Sequence, residues 1–180
     1  MTTVKGMLGG GGVIVDDAAA QAMLLGIKGR MLKAYPAYKV IAEQLRTMVI
    51  DTFKAEGARN GNPKWKPLKP NSIMKRLKRR KSFFSKKTGK LLSRGQKFLG
   101  SMKILQDRLR LIRSIKARSS RNWAQAGTNV SYGPAHQMGM SWNNLPARPF
   151  IDVTQPDIDK AAATLKNYVI HGVAADTFTG

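Results

Sequence analysis

Two histidines, His136 and His171, and no cysteine make up the chain's whole stock of imidazole and thiol chemistry. Neither histidine has a second ligand at metal spacing, such as a His four residues on or a Cys pair. The missing cysteines exclude disulfides, thiolate metal sites and a Cys nucleophile. The Gly-x-Ser-x-Gly pattern of a serine nucleophile elbow does not occur. Gly9 to Gly12 precede the apolar Val13-Ile14-Val15 and carry no Lys-Ser/Thr. A phosphate-binding loop follows its strand and needs those residues. The acidic pairs Asp16-Asp17 and Asp157-x-Asp159 sit where helices begin, where carboxylates favour the N-terminal dipole. The roles an active site requires stay unfilled. The expectation is a protein with no enzymatic activity, no metal, no cofactor and no small-molecule substrate.

What the chain carries in quantity is positive charge. Its formal net charge is +22, from 32 Lys and Arg against 10 Asp and Glu. Residues 57–106 contain no acid and sixteen of those cations. Among them Lys75, Arg76, Lys78, Arg79, Arg80, Lys81, Lys86 and Lys87 are the candidate contacts of a basic arm. Such a block repels itself, so it is expected to order fully only against an anionic surface, nucleic acid or acidic protein. A solvated, mobile loop is the plainer reading. No zinc-finger spacing, aromatic RNA-binding strand or helix-turn-helix accompanies it, so any DNA contact would be to phosphates and insensitive to sequence.

The elements that would position these residues read as α+β, because helices and a hairpin follow one another without βαβ alternation. Residues 1–12 read as a flexible N-terminus and Val13 to Val15 as a short edge strand. Asp16 or Asp17 caps a helix running toward Leu32, weakened by Gly26 and Gly29. The main core helix spans about 37–56, with Pro36 at its start, Ile41, Leu45, Met48 and Thr52 in one row, and Gly57 as its C′ residue. Trp65, among Pro63, Pro67 and Pro70, packs over a core edge or, on the sharper reading, stacks on a base. Asn71 or Ser72 caps a helix that opens the arm. Leu109, Leu111, Arg113 and Ile115 alternate as a strand, and 121–129 returns antiparallel to it. Tyr132 to Met138 form a short helix or turn, Pro149 to Val153 a last strand. Pro156 opens a helix whose apolar face is Ile158, Ala161, Ala162, Leu165, Val169 and Ile170. The domain expected is 13–170, with a basic arm inserted at 66–103 and a tail at 171–180. No apolar run reaches the roughly 18–20 residues that cross a bilayer. With no signal peptide visible either, the expectation is a soluble, unprocessed chain with no membrane partner.

One segment is more specific than any of this. Tyr132-Gly133-Pro134-Ala135-His136-Gln137-Met138-Gly139 is followed by Leu145-Pro146-Ala147-Arg148-Pro149-Phe150-Ile151. In that order these residues resemble the signature of the tailed-bacteriophage virion morphogenesis, or tail completion, family. Phe53, Gly61, Pro63 and Trp65 look like the family's helix ending in Phe and its following Trp. Ile104-Leu105-Gln106-Asp107, Leu111, Ser114 and Ile115 match a third stretch. The likeness covers roughly residues 36–170, interrupted by the basic arm. It departs from the family at Arg108-Leu109, where Thr-Gly is favoured, so a turn that wants glycine is remodelled here.

The resemblance implies a structural protein of the phage neck or tail end. It would be found in the virion, and in the host cytoplasm during assembly. Its partners would be copies of itself in a ring, commonly hexameric, and other neck and tail proteins such as a connector, a stopper or the tail tube. The fold implied is like that of tail terminators and neck proteins, a small, mainly antiparallel sheet packed by helices. Trp65, Tyr132, His136, Gln137, Gly139, Pro146, Arg148, Pro149 and Phe150 are the motif and interface candidates. For His136 and Arg148 two readings stand: a local structural role, with Arg148 bridging Asp152 or Asp157, or direct contact between subunits. The alternative function is sequence-independent binding of DNA phosphates during packaging or assembly.

Overall fold

The computed structural model describes residues 17–174. These form seven α-helices and one two-stranded antiparallel sheet, an α+β arrangement. In chain order they are α1 (Ala18–Leu32), α2 (Tyr35–Lys54), α3 (Pro70–Lys78), α4 (Ser93–Gly100), α5 (Arg110–Arg113), β1 (Lys116–Ser119), β2 (Ala124–Gly127), α6 (Gly133–Met138) and α7 (Gln155–His171). The expectations for Val13 to Val15, for residues 1–12 and for most of the C-terminal tail lie outside the described residues.

The molecule is organised around α2. Pro36 sits in its first turn, and Ile41, Met48, Val49, Thr52 and Phe53 are buried along one face, as their spacing dictates. The hairpin and α7 both pack on this helix. Fully burying Phe53 and Phe150 stabilises the fold by about 2–3 kcal/mol each. Their rings lie 5.3 Å apart, and Trp65 meets Phe53 edge-on at 5.7 Å. Ile104, Leu111, Ile115 and Val130 complete the cluster.

The end of α2 differs from the expectation in one residue. Glu56, not Gly57, takes the left-handed C′ position, at φ 52°. Its N–H bonds the Phe53 carbonyl, and the Gly57 N–H bonds the Thr52 carbonyl at 2.9 Å. That is the paired closure of a Schellman cap, with Gly57 one place further on. The strained glutamate is held by its side chain. Its Oε1 accepts from the buried Ile104 N–H at 2.8 Å, and Oε2 pairs with Lys64 at 3.1 Å. Burial pushes this carboxyl up, but the Ile104 N–H and Lys64 outweigh that and hold it below its ordinary value.

Helix α1 runs unbroken through Gly26 and Gly29. Asp17 stands at its N-cap position, where its carboxylate accepts from Gln21 Nε2 rather than from a backbone N–H. At the other end, Arg30 donates to the Val169 and Ile170 carbonyls at 2.6 and 2.9 Å, closing the C-terminus of α7 beside Gly172. Helix α7 opens with Thr154, whose N–H and hydroxyl both reach the Asp157 carboxylate. Its inward face is more polar than expected: Thr164 is buried and bonds Gln44 of α2 at 2.9 Å, whereas Ile158 is half exposed and Ala162 exposed.

Two expectations for the second half are corrected. Residues 109–115 are not a strand. Leu109 is left-handed at φ 57° and launches α5, so the ladder begins only at Lys116 and runs to Ser119, paired with Ala124 to Gly127. Pro149 to Val153 are not a strand either, because the Phe150 and Ile151 N–H groups are taken by a side chain, described below. The long basic arm expected at 66–103 is not confirmed, since the segment is folded. Helices α3 and α4 flank a 3-10 turn at Lys81–Phe83, and Phe84 and Leu91 pair across an isolated bridge. Neither Asn71 nor Ser72 caps α3, which starts at Pro70. The self-repulsion is offset by a small apolar nucleus: Leu77 is buried, Phe83 and Phe98 lie 5.1 Å apart, and Gly95 lets Leu91 close against α4. Arg80 lies over the Phe98 ring at 4.1 Å, so one cation of the cluster contributes to the packing.

Candidate functional site

The motif residues converge where α6, the 145–151 segment and the stretch around Trp65 meet. Gln137, on α6, is the fastener. Its Oε1 accepts from the N–H groups of Phe150 and Ile151 at 3.0 and 3.1 Å, and its Nε2 donates to the Ile151 carbonyl at 2.9 Å. One side chain thus supplies what a neighbouring strand would have supplied, and it drives the Phe150 ring into the core. Trp65 Nε1 donates to the Pro149 carbonyl at 2.9 Å. Trp65 is itself buried, so it packs over the core and presents no face for a base.

Gly139 makes the reversal between the two halves of the motif. At φ 77° it is left-handed, and a Cβ there would lie 2.7 Å from the Ala147 nitrogen and 2.9 Å from the Leu145 carbonyl oxygen. Met140 and Leu145 then exchange both backbone hydrogen bonds, at 2.9 and 3.0 Å. Pro146 is partly buried in this return, and Pro149 is exposed, engaged through its carbonyl alone.

Arg148 does not reach Asp152 or Asp157. Its guanidinium donates to the Lys66 and Pro67 carbonyls at 3.1–3.3 Å, and its N–H to the His136 carbonyl at 2.7 Å. The acids go elsewhere. Arg59 forms a two-pronged pair with Asp157, both contacts 2.7 Å, and also donates to the Asp152 carbonyl. Asn62 takes the Asp152 carboxylate at 2.7 Å. Arg59 is thus the residue that sequence reasoning missed, one among sixteen cations of the acid-free block. Its signal was position: it follows the Gly57 cap, in the turn that reaches the start of α7.

Beside this fastening lies a groove of about 370 Å³. Leu68, Arg76, the 105–111 segment, Tyr132, His136, Leu145 and Arg148 contribute to its walls. The His136 ring meets Tyr132 edge-on at 5.9 Å, and its buried Nδ1 has no hydrogen-bond partner among the described residues. Burial and then the nearby Arg148 charge lower the imidazole's proton affinity, so His136 is neutral at physiological pH. Arg76 and Arg79 share Asp107. Arg148 has no carboxylate within ion-pair distance among the described residues and is only 4% exposed.

The remaining cations of the basic segment, Lys75, Lys78, Lys81, Lys86 and Lys87, are exposed. Of the eight cations named for this segment, only Arg76 joins the groove. Among the described residues no group of three or more His, Cys, Asp or Glu could hold a metal ion, and no helix is long and apolar enough to cross a membrane.

A family model for phage virion morphogenesis matches residues 15–169. The chain belongs to the phage virion morphogenesis family. Its role is therefore in phage virion assembly, and it is a virion-associated protein. No curated protein and no solved structure shows significant similarity to it. In this family member the signature from Tyr132 to Phe150 is first a structural device. Gln137, Gly139, Trp65 and Phe150 fix the backbone, and His136 and Arg148 are thereby held beside an open groove.

Proposed function

We propose that this chain is a structural, non-enzymatic subunit of the phage neck or tail end, acting in tail completion and head–tail joining as a ring, with six copies the expected number. The observation that carries the reading is α1. No residue of this 15-residue helix is buried, yet Met23, Leu24, Leu25, Met31 and Leu32 are each more than half exposed. Only Gly26, Ile27 and Arg30 turn inward at all. A helix this apolar on its outer side is stable in water when another surface covers it. A ring subunit has such a surface in its neighbour, and a head-to-tail interface whose rotation closes makes a ring.

The test is light scattering of the purified chain, and of a variant with Leu24→Gln and Leu25→Gln. Glutamine keeps helix propensity close to that of leucine. The reading expects a closed oligomer for the natural chain and monomers for the variant, with subunit unfolding unchanged. A monomeric natural chain, or a variant that still assembles, contradicts it.

The exposed lysines of the α3–α4 segment support a second reading, contact with DNA phosphates. Binding of a short duplex that weakens steeply with salt, regardless of sequence, would favour it.

A further inference from the structure

The groove beside the motif carries more positive charge than its own chain answers. Four guanidinium groups, those of Arg76, Arg108, Arg110 and Arg148, line it against the single carboxylate of Asp107, a formal excess of three. Asp107 is already drawn to Arg79 outside the groove. Arg76 and Arg148 are largely buried, and carbonyl oxygens are the acceptors of their hydrogen bonds. Burial is the main cause that lowers the proton affinity of both; Asp107 partly opposes it at Arg76, and the Arg76 charge adds to it at Arg148. A buried cation held by neutral dipoles gains far more from an incoming carboxylate than an exposed lysine does.

The rest of the lining narrows the ligand. Leu68, Leu105, Leu109, Leu111 and Leu145 share the groove with the arginines. A duplex backbone gains nothing from leucines, and its phosphates ride on a rod too wide to reach a residue 4% exposed. A single acidic side chain on an apolar stretch of polypeptide fits both features.

A second copy of the chain is a poor source of that acid. All eight described carboxylates are engaged within their own subunit: Asp17 with Gln21, Glu43 with Arg46, Asp51 with Lys54, Glu56 with Lys64, Asp107 with Arg79, Asp152 with Asn62, Asp157 with Arg59 and Asp159 with Gln155.

We propose that this groove is a docking site for an aspartate or glutamate flanked by apolar residues on a different, acidic polypeptide. The assembly reading enters only in making that polypeptide a virion protein. Docking itself belongs to the isolated subunit, so it can fail while ring formation holds, and hold while ring formation fails.

The experiment is fluorescence anisotropy at near-physiological salt with three labelled probes: a peptide of alternating leucine and glutamate, the same peptide with serine for leucine, and a short DNA duplex. Three proteins are compared: the natural chain, Arg108→Ala with Arg110→Ala, and Lys86→Ala with Lys87→Ala. Both double variants change exposed residues and remove the same charge. The leucine–glutamate peptide should bind the natural chain best of the two peptides. It should lose about tenfold in affinity in the arginine variant and about twofold or less in the lysine variant. DNA should lose equally in both variants. Equal peptide losses in the two variants, equal binding of the two peptides, no peptide binding, or a DNA loss confined to the arginine variant would each overturn the proposal.

Discussion

Gln137 is the residue on which the motif's geometry depends most. Its amide serves three backbone groups of Phe150 and Ile151. Gln137→Leu keeps the bulk but orphans two N–H groups and a carbonyl. It is expected to cost about 3 kcal/mol, read by urea unfolding, with loss of the Phe53–Phe150 packing. An unchanged midpoint would show that the segment is held by other means. Asp157 gives a pH signature of its own. Burial would raise its carboxyl. The Arg59 hydrogen bonds, then those of Thr154, outweigh burial and hold it at about 2 against an ordinary 3.8. A folded value below the unfolded one means that stability is present above pH 3.8 and is lost as pH falls toward 2. The amount is about 2 kcal/mol. Asp157→Asn should flatten that part of the acid-unfolding curve while lowering stability at neutral pH. At this scale the sequence was legible as a motif but not as a mechanism. The residues of the Tyr132-to-Phe150 signature lie together in the fold. That Arg148 would bind carbonyls and Arg59 the acids could not be read, since an arginine's partner depends on which turns fold together.

At the scale of elements, two backbone positions decide how helices end and begin. A Cβ on Gly57 would sit 2.5 Å from the Trp65 ring, at a φ of 94° that side chains avoid. Gly57→Ala should therefore destabilise by about 2 kcal/mol or more, measured by thermal unfolding. Leu109 occupies a left-handed position at a cost of about 1–2 kcal/mol. It stands where the family favours glycine, so Leu109→Gly should unfold no more readily than the natural chain, and Leu109→Val distinctly more readily. Helices α2 and α7 were legible because their signals are local: a proline in the first turn of each and, in α2, a buried row at helical spacing. The supposed strands at 109–115 and 149–153 were not. Alternation over a few residues suits a short helix with one buried Leu as well as it suits a strand. Only Leu109's left-handed start and Gln137's capture of the Phe150 and Ile151 N–H groups decide between them. The local fold of the basic segment was not legible because charge is plain in a sequence, whereas Leu77, Leu91, Phe83 and Phe98 are scattered among the lysines.

For the whole molecule, an uncovered apolar helix and an under-compensated cationic groove both point outward to other chains. Neither is economical for a protein that works alone. On the proposed reading, α1 would serve copies of the chain and the groove an acidic neighbour. The α+β class was legible in the sequence from the order of its elements, and the outward-facing role of α1 was not. Its alternation of alanine, leucine and methionine reads equally as a core helix until the packing is known. The most direct measurement is electron microscopy of lysates from a phage carrying an early stop codon in this gene. Filled heads beside separate, otherwise complete tails, or tails of abnormal length, are the predicted result. Normal joined, infectious particles would contradict the account.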